Sequence, residues 1–167
     1  HPWIDQVDRI DIPGIIREAG ITMLIGTTGQ DFFFNDDIIS ELKNNTEKPL
    51  ILPLFHQVST PEMFCRNLSS LREKGFLIAT GNPCAKVDEL ESSHNVSQCN
   101  NAFIFPGVGL GILASGAKEV LPEFFTIAAQ VGSNMMSAEQ LAGGRLMPPI
   151  SEIRTVGKKV ALAMAMA

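Results

Sequence analysis

The chain has 167 residues, of which 45% are hydrophobic and 19% charged, and its formal net charge is -5. This length and composition describe a folded globular protein and exclude a disordered tail. An acidic balance without a cluster of Lys and Arg argues against nucleic acid and anionic membranes as partners.

Three short apolar runs recur at nearly even spacing in the first half of the chain. They span residues 21–25, 49–54 and 76–80, and each is continuously apolar rather than alternating. Runs of this length between turn residues are typical of strands buried on both faces of a parallel sheet. We therefore predict three neighbouring parallel strands, with residues 21–25, 50–54 and 76–80 at their centres.

Helices are predicted before and between these strands. Asp11 begins a short helix, Asn35 precedes a helix with acidic residues in its first turn, and Gly75 ends a third helix. Asp and Asn are preferred at helix N-caps, and Gly is preferred just beyond a helix C-terminus. The alternation of helix and strand over residues 11–80 predicts a doubly wound sheet with helices on both faces.

Beyond residue 84 the pattern changes. A polar stretch (85–101) leads to an apolar segment at 103–105 with the composition of a short strand, and then to a Gly-rich helix and further helices near 122–131, 137–142 and 151–167. We predict one α/β domain over residues 1–167. It is a half-domain of a Rossmann-like parallel sheet (21–84) followed by a helical tail (102–167).

The two ends of the sequence suggest a fragment. The chain opens without Met at His1, and it stops at Ala167 inside a predicted helix that no Gly or Pro terminates. We therefore expect this chain to be part of a longer protein.

Small and polar residues follow each predicted strand, where doubly wound sheets bind their ligands. The first turn contains Gly26, Thr27, Thr28 and Gly29; the second begins at residue 55 and contains His56; the third begins at Gly81. Such residues also make ordinary turns between strands and helices. Because all three turns contain such residues, a ligand-binding cleft and a purely structural role are equally good interpretations.

Adjacent amides at Asn100 and Asn101 stand where the polar stretch meets the apolar segment. Paired amides can hold a polar ligand without adding charge, but Asn also caps and pins turns. Arg145, in Gly-Gly-Arg-Leu-Met-Pro-Pro, has the same two interpretations, because it could clamp a carboxylate or anchor a surface turn.

Two other patterns in the sequence do not indicate a ligand-binding site. Gly109, Gly111 and Ala114 match the dinucleotide fingerprint G-x-G-x-x-G/A, but helices follow instead of a βαβ unit, so we interpret these glycines as a helix-packing contact. The histidines are dispersed and neither His-x3-His nor Cys-x2-Cys occurs, so no zinc site is predicted.

The cysteines and the hydropathy pattern bear on the compartment. Cys65, Cys84 and Cys99 are too few and too scattered for a disulfide framework, and we expect reduced thiols. No apolar run reaches the ~18 residues of a membrane helix without a charge, Gly or Pro. We expect a cytoplasmic protein with no membrane partner.

Several segments together resemble the carboxyl-terminal part of the malic enzyme family. They lie at residues 23–29, 47–51, 79–81, 100–111 and 144–150, in the family's order and near its spacing. The Asn-Asn-Ala-Phe-Ile-Phe-Pro-Gly and Gly-Arg-Leu-Met-Pro-Pro segments are the more specific ones.

This resemblance implies oxidative decarboxylation of malate to pyruvate with NAD or NADP and Mg²⁺ or Mn²⁺, usually in a homo-oligomer. Malolactic enzymes, which make lactate, share the pattern. In such enzymes Asn100 and Asn101 would reach malate or the nicotinamide ribose, and the turn from Gly26 to Gly29 would line the cofactor. Gly81 and His56 would lie at the same cleft.

The sequence also departs from the family. His56 stands where the family typically has an Asn that contacts substrate and cofactor, and Cys99 stands where Gly precedes the paired amides. The family's catalytic Tyr and Lys, its metal-binding carboxylates and its dinucleotide fingerprint belong to sequence upstream, and this chain contains no Tyr. We expect the chain alone to be inactive. The alternative is a non-catalytic nucleotide-binding or oligomerisation module.

Overall fold

A computed structural model describes residues 11–27, 34–54, 61–82 and 96–167. Strands and helices alternate up to β3, and helices follow β4. The elements are α1 (Ile12–Glu18), β1 (Met23–Gly26), α2 (Asp36–Asn45), β2 (Leu50–Pro53), α3 (Pro61–Glu73), β3 (Leu77–Thr80), β4 (Ser97–Gln98), α4 (Phe105–Ser115), α5 (Pro122–Asn134), α6 (Ala138–Ala142) and α7 (Ile153–Ala165). Two 3₁₀ turns, Asn101–Phe103 and Ile150–Glu152, precede α4 and α7.

The four strands form one parallel sheet in the order β1-β2-β3-β4. Met23 is paired with Leu50, Leu50 with Leu77, and Ala79 with Ser97. The predicted neighbourhood and parallel direction of the first three strands are therefore confirmed. β4 was not predicted, because its two residues lie within a polar stretch that has no strand pattern of its own.

Side chains cap the first helices as the sequence predicts. The Asp11 carboxylate accepts a hydrogen bond from the Gly14 amide, and the Asn35 side chain accepts one from the Ile38 amide, each over 3.0 Å. Gly75, which follows α3, has φ +86°, a conformation that residues with a Cβ rarely adopt. These caps satisfy backbone groups that a helix end leaves unpaired.

The first core lies between the sheet and the helices α1, α2 and α3. Ile51 and Ile78 project from adjacent strands into this core and are fully buried, and Leu42 of α2 meets them there. The opposite face of the sheet is buried at one end only. Ala79 and Ser97 are 1% and 3% exposed, whereas Met23 and Ile25 on β1 are 49% and 51% exposed.

The helical tail contains a second core, formed chiefly by α4, α5 and α7. α4 and α7 run parallel and in close contact, since a Cβ on Gly107 would lie 2.5 Å from the Gly157 carbonyl oxygen and one on Gly111 would overlap Met164. The interpretation of these glycines as a helix-packing contact is thus confirmed for Gly111, whereas Gly109 is exposed and has open space around it. The strand expected at 103–105 is wrong, because Phe103 ends a 3₁₀ turn and Phe105 begins α4.

Two contacts attach the segment after α6 to the sheet layer. The Ser97 hydroxyl accepts hydrogen bonds from the Leu146 and Met147 amides at 2.8 and 3.2 Å. Arg72 at the end of α3 donates to the Gly143 carbonyl oxygen at 2.6 Å. Burial, and after it the nearby charge of Arg145, lower the pKa of Arg72. The tail therefore covers the second face of the sheet near β3 and β4, and helices lie on both faces.

The cysteines differ from the sequence expectation. Cys65 on α3 is disulfide-bonded, so the expectation of reduced thiols is wrong for this residue. Cys99 is a free thiol. In the ranges that the structure describes, no helix has both the length and the apolar character needed to cross a bilayer.

Candidate functional site

The carboxyl ends of the four strands form one continuous edge of backbone groups. The Gly26 carbonyl oxygen, at the end of β1, accepts a hydrogen bond from the Leu54 amide over 2.8 Å. A Cβ on Gly81, just after β3, would lie 3.3 Å from the Leu54 carbonyl carbon. Gly26, Leu54 and Gly81 therefore stand side by side, and this edge of the sheet leaves little room for a side chain at Gly81.

The loop after β4 is tied to this edge by Asn100. Its side-chain nitrogen donates to the Gly81 carbonyl oxygen at 3.3 Å, and its side-chain oxygen accepts from the Ala102 amide at 2.8 Å. Both ends of the amide are thus used within the chain. The geometry gives Asn100 the pinning and capping role that sequence reasoning held open beside ligand binding.

Asn101 differs from its neighbour. It is exposed, and its side chain makes no hydrogen bond to any other described residue. It begins the 3₁₀ turn that Asn100 caps, so its backbone position is set while its amide has no partner among the described residues. An exposed polar group without a partner among the described residues is available for contact with a ligand.

Thr27 presents a second available polar group, at the other end of the edge. It follows β1 directly, is exposed, and has no hydrogen bond to another residue in the described ranges. Gly26 beside it is buried, and a Cβ there would lie 2.9 Å from the Phe34 ring. Gly26 therefore allows the chain to pack against the Phe34 ring, and the next residue, Thr27, exposes its hydroxyl.

The thiol of Cys99 lies in the same loop. Its amide donates to the Thr80 carbonyl oxygen at 2.8 Å, which continues the pairing of β3 with β4. Partial burial raises the pKa of the thiol, so its neutral form is favoured. A Cys at this position is accommodated without loss of the strand pairing.

Two features of this region were missed by reasoning from the sequence. Leu54 joins the turns after β1 and β3 through its backbone alone, and no sequence pattern reveals that role. Ser97 carries the hydrogen bonds to Leu146 and Met147, almost 50 residues away.

Three of the predicted site residues lie outside the described residues. Thr28, Gly29 and His56 are not among the described residues, so their roles stay predictions. Within the described ranges, no group of three or more His, Cys, Asp or Glu side chains is placed to hold a metal ion. Arg145 lies in the turn that Arg72 anchors through Gly143.

Comparison with known proteins agrees with this architecture. A family model described as "Malic enzyme, NAD binding domain" matches residues 1–167. The chain is 34% identical over 165 residues to the NAD-dependent malic enzyme of Sodalis glossinidius (strain morsitans), an alignment that covers 99% of this chain and 29% of that protein. It is 35% identical over 163 residues to the NAD-dependent malic enzyme of Photorhabdus laumondii subsp. laumondii, covering 98% of this chain and 29% of that protein.

The chain therefore spans about 29% of the length of these curated relatives. The family model matches all residues of the chain, and the parallel half-sheet with a helical tail agrees with it. The chain belongs to the malic enzyme family, as its NAD-binding domain.

Proposed function

We propose that this chain forms part of the cofactor and substrate wall of a malate oxidoreductase, which converts malate to pyruvate and carbon dioxide with NAD or NADP. The observation that carries this proposal is the strand edge, where Asn100 fixes the loop to Gly81 and the neighbouring Asn101 amide has no hydrogen bond to the described residues. The backbone of Asn101 is positioned before the ligand arrives, which lowers the entropy lost on binding.

The groups at this edge fit part of a nicotinamide cofactor. Thr27 and Asn101 are neutral and can both donate and accept hydrogen bonds, as ribose hydroxyls and a carboxamide require. Neither carries a charge that would offset a pyrophosphate. We therefore assign the ribose and nicotinamide end of the cofactor to this chain, and the pyrophosphate to residues elsewhere.

The described residues do not fit the metal ion that malate decarboxylation by this family implies. No suitable cluster of ligands occurs among them. A bound Mg²⁺ or Mn²⁺ would polarise the substrate carbonyl, and we place its ligands outside the described part of the chain. The contribution of this chain is to bind, to orient and to exclude water.

Isolated from any further sequence, the 167-residue chain is proposed to be inactive. Hydride transfer and decarboxylation need a cofactor, an acid and base pair and a metal ion in one site. The test measures malate-dependent reduction of NAD and of NADP with Mn²⁺, for this chain and for the complete protein that contains it. We expect turnover by the complete protein only. Turnover by the isolated chain that an Asn101→Ala substitution abolishes would contradict this.

A non-catalytic module and a malolactic enzyme are the alternatives. Pyruvate as the product of malate identifies a malic enzyme, lactate identifies a malolactic enzyme, and no turnover by the complete protein identifies a non-catalytic module. His56→Asn restores the amide that the family typically has at this position. It should raise the activity of a perturbed site and leave a non-catalytic protein unchanged.

We also propose that the complete protein is a cytoplasmic homo-oligomer. The state of Cys65 tests the cytoplasmic location, because a disulfide such as the one at Cys65 is unusual in the cytoplasm, where thiols are kept reduced. Alkylation of thiols in freshly lysed cells, followed by mass spectrometry, shows whether Cys65 is reduced in its own compartment. Light scattering of the purified complete protein tests the oligomer.

A further inference from the structure

We propose a second ligand site, in the helical tail, for an anion with an apolar chain. A cavity of about 370 Å³ lies between α4, α7 and the 3₁₀ turn at Asn101–Phe103. Such a volume falls within the usual range of small-molecule pockets, about 300–1,000 Å³. Of the residues that line it, only Ala102 belongs to the loop that carries Asn101, so this cavity is separate from the strand edge.

The wall of the cavity is almost entirely apolar, and the exposed side chains of Arg154 and Lys158 lie beside it. Its lining includes Ala102, Pro106, Leu110, Ile153, Arg154 and Lys158, and no Asp or Glu. Arg154 and Lys158 are exposed, and neither forms an ion pair or hydrogen bond with another described residue. The chain as a whole has a net charge of -5, whereas two positive charges lie beside this apolar cavity.

A bound anion would relieve the mutual repulsion of these two cations. They are four residues apart on α7, so they lie on one helical face and repel each other. Arg154 stands in the first turn of α7, where the helix dipole disfavours positive charge, and the acidic residue at this helix end is the N-cap Glu152, which does not line the cavity. α4 runs parallel to α7 and begins beside it, and its first turn lacks an acidic residue.

These features together favour one class of ligand. An anionic head between Arg154 and Lys158 would neutralise both side chains, and a hydrocarbon chain would displace water from the surface formed by Ala102, Pro106 and Leu110. A small dicarboxylate such as malate would leave that apolar surface wet. We therefore infer that the ligand is a medium-chain carboxylate.

Isothermal titration calorimetry of the complete protein with decanoate tests the site. Butyrate has the same head without the long chain, and decyltrimethylammonium has the same chain with the opposite charge. We expect decanoate to bind, and both other compounds to bind at least about tenfold more weakly, because each loses one of the two interactions. Equal affinity for decanoate and decyltrimethylammonium would overturn the proposal.

Two matched pairs of variants locate the binding. R154Q/K158Q removes both charges from the wall, and K159Q removes a neighbouring charge that does not line the cavity. L110E places a negative charge on the wall, and L113E does so at an exposed leucine away from it. We expect the first member of each pair to weaken decanoate binding about three- to tenfold or more, and the second to stay within about twofold.

Other results would remove the proposal. If decanoate does not bind, or binds R154Q/K158Q as tightly as K159Q, the cavity is not a site for a carboxylate. If Lys158 in the complete protein resists acylation while Lys159 reacts, and decanoate does not bind, the cavity is covered by protein instead. Circular dichroism of each variant confirms that differences in binding do not arise from unfolding.

Discussion

The Asn100 side-chain nitrogen lies 3.3 Å from the Gly81 carbonyl oxygen and donates a hydrogen bond to it. This bond joins the loop after β4 to the end of β3, and Asn100 caps the 3₁₀ turn of that loop with its side-chain oxygen. Asn101, the next residue, keeps its amide free of such bonds to the described residues. The two adjacent amides thus differ in their hydrogen bonds within the chain.

Asn100→Ala should destabilise the protein. The substitution leaves the Ala102 amide without its partner and the Gly81 carbonyl with only the longer hydrogen bond from the Gln98 side chain at 3.5 Å, at a cost of about 1–3 kcal/mol in the free energy of unfolding. Asn100→Asp keeps the acceptor for Ala102 but places a carboxylate oxygen against the Gly81 carbonyl oxygen, so it should destabilise the protein as well. Urea denaturation measures both. A stability equal to that of the unsubstituted protein would contradict the pinning role.

Asn101→Ala should impair catalysis by the complete enzyme and spare its stability. If the amide contacts malate or the nicotinamide ribose, its loss leaves a ligand group unpaired, and kcat/KM should fall roughly 5- to 150-fold. Asn67→Ala, at an exposed position on α3, is the matched control and should change neither property. Unchanged malate kinetics in the Asn101→Ala enzyme would exclude a ligand-binding role.

Ser97→Ala should weaken the attachment of the tail to the sheet. The buried hydroxyl accepts the Leu146 and Met147 amides, and alanine leaves both without this acceptor, at a cost of about 1–3 kcal/mol. Ser133→Ala removes an exposed hydroxyl and should change stability by less than about 0.5 kcal/mol. Denaturant midpoints compare the two, and equal midpoints would show that the Ser97 bonds contribute nothing.

Two glycines of α4 should respond in opposite directions to alanine. A Cβ on Gly111 would overlap Met164 and lie 2.9 Å from the Ala161 carbonyl oxygen, so Gly111→Ala should destabilise by about 1–3 kcal/mol. Gly109 has open space around it, so Gly109→Ala should stabilise by about 0.5–1 kcal/mol. Neither substitution should alter the Kd for NAD in the folded protein. A loss of NAD affinity in Gly109→Ala would restore the motif as a cofactor fingerprint.

The Cys99 thiol should make stability depend on pH in the alkaline range. Burial raises its pKa in the folded chain above the ordinary thiol value of 9.0, so the unfolded chain releases this proton first. The contribution is therefore complete below that value and is lost as pH rises through the folded pKa. Denaturation at a series of pH values should show this decline, and Cys99→Ala should flatten it. An equal decline in the variant would assign the effect to other groups.

Much of the fold follows from local sequence. Continuous apolar runs with turn residues between them identify β1, β2 and β3, and the caps at Asp11 and Asn35 locate two helix starts. These signals are local because burial on both faces and helix capping each depend on a few neighbouring residues. The malic enzyme resemblance likewise rests on short motifs that can be found in the sequence.

Other features depend on contacts between distant segments, and only the tertiary structure decided them. β4 is a strand because Ser97 and Gln98 are paired with β3, although their own composition does not favour a strand. The hydrogen bond that distinguishes Asn100 from Asn101 depends on the position of Gly81, and the partners of Ser97 lie 49 and 50 residues along the chain. A hydrogen bond between two segments depends on how the whole chain brings them together, and no local pattern contains that information.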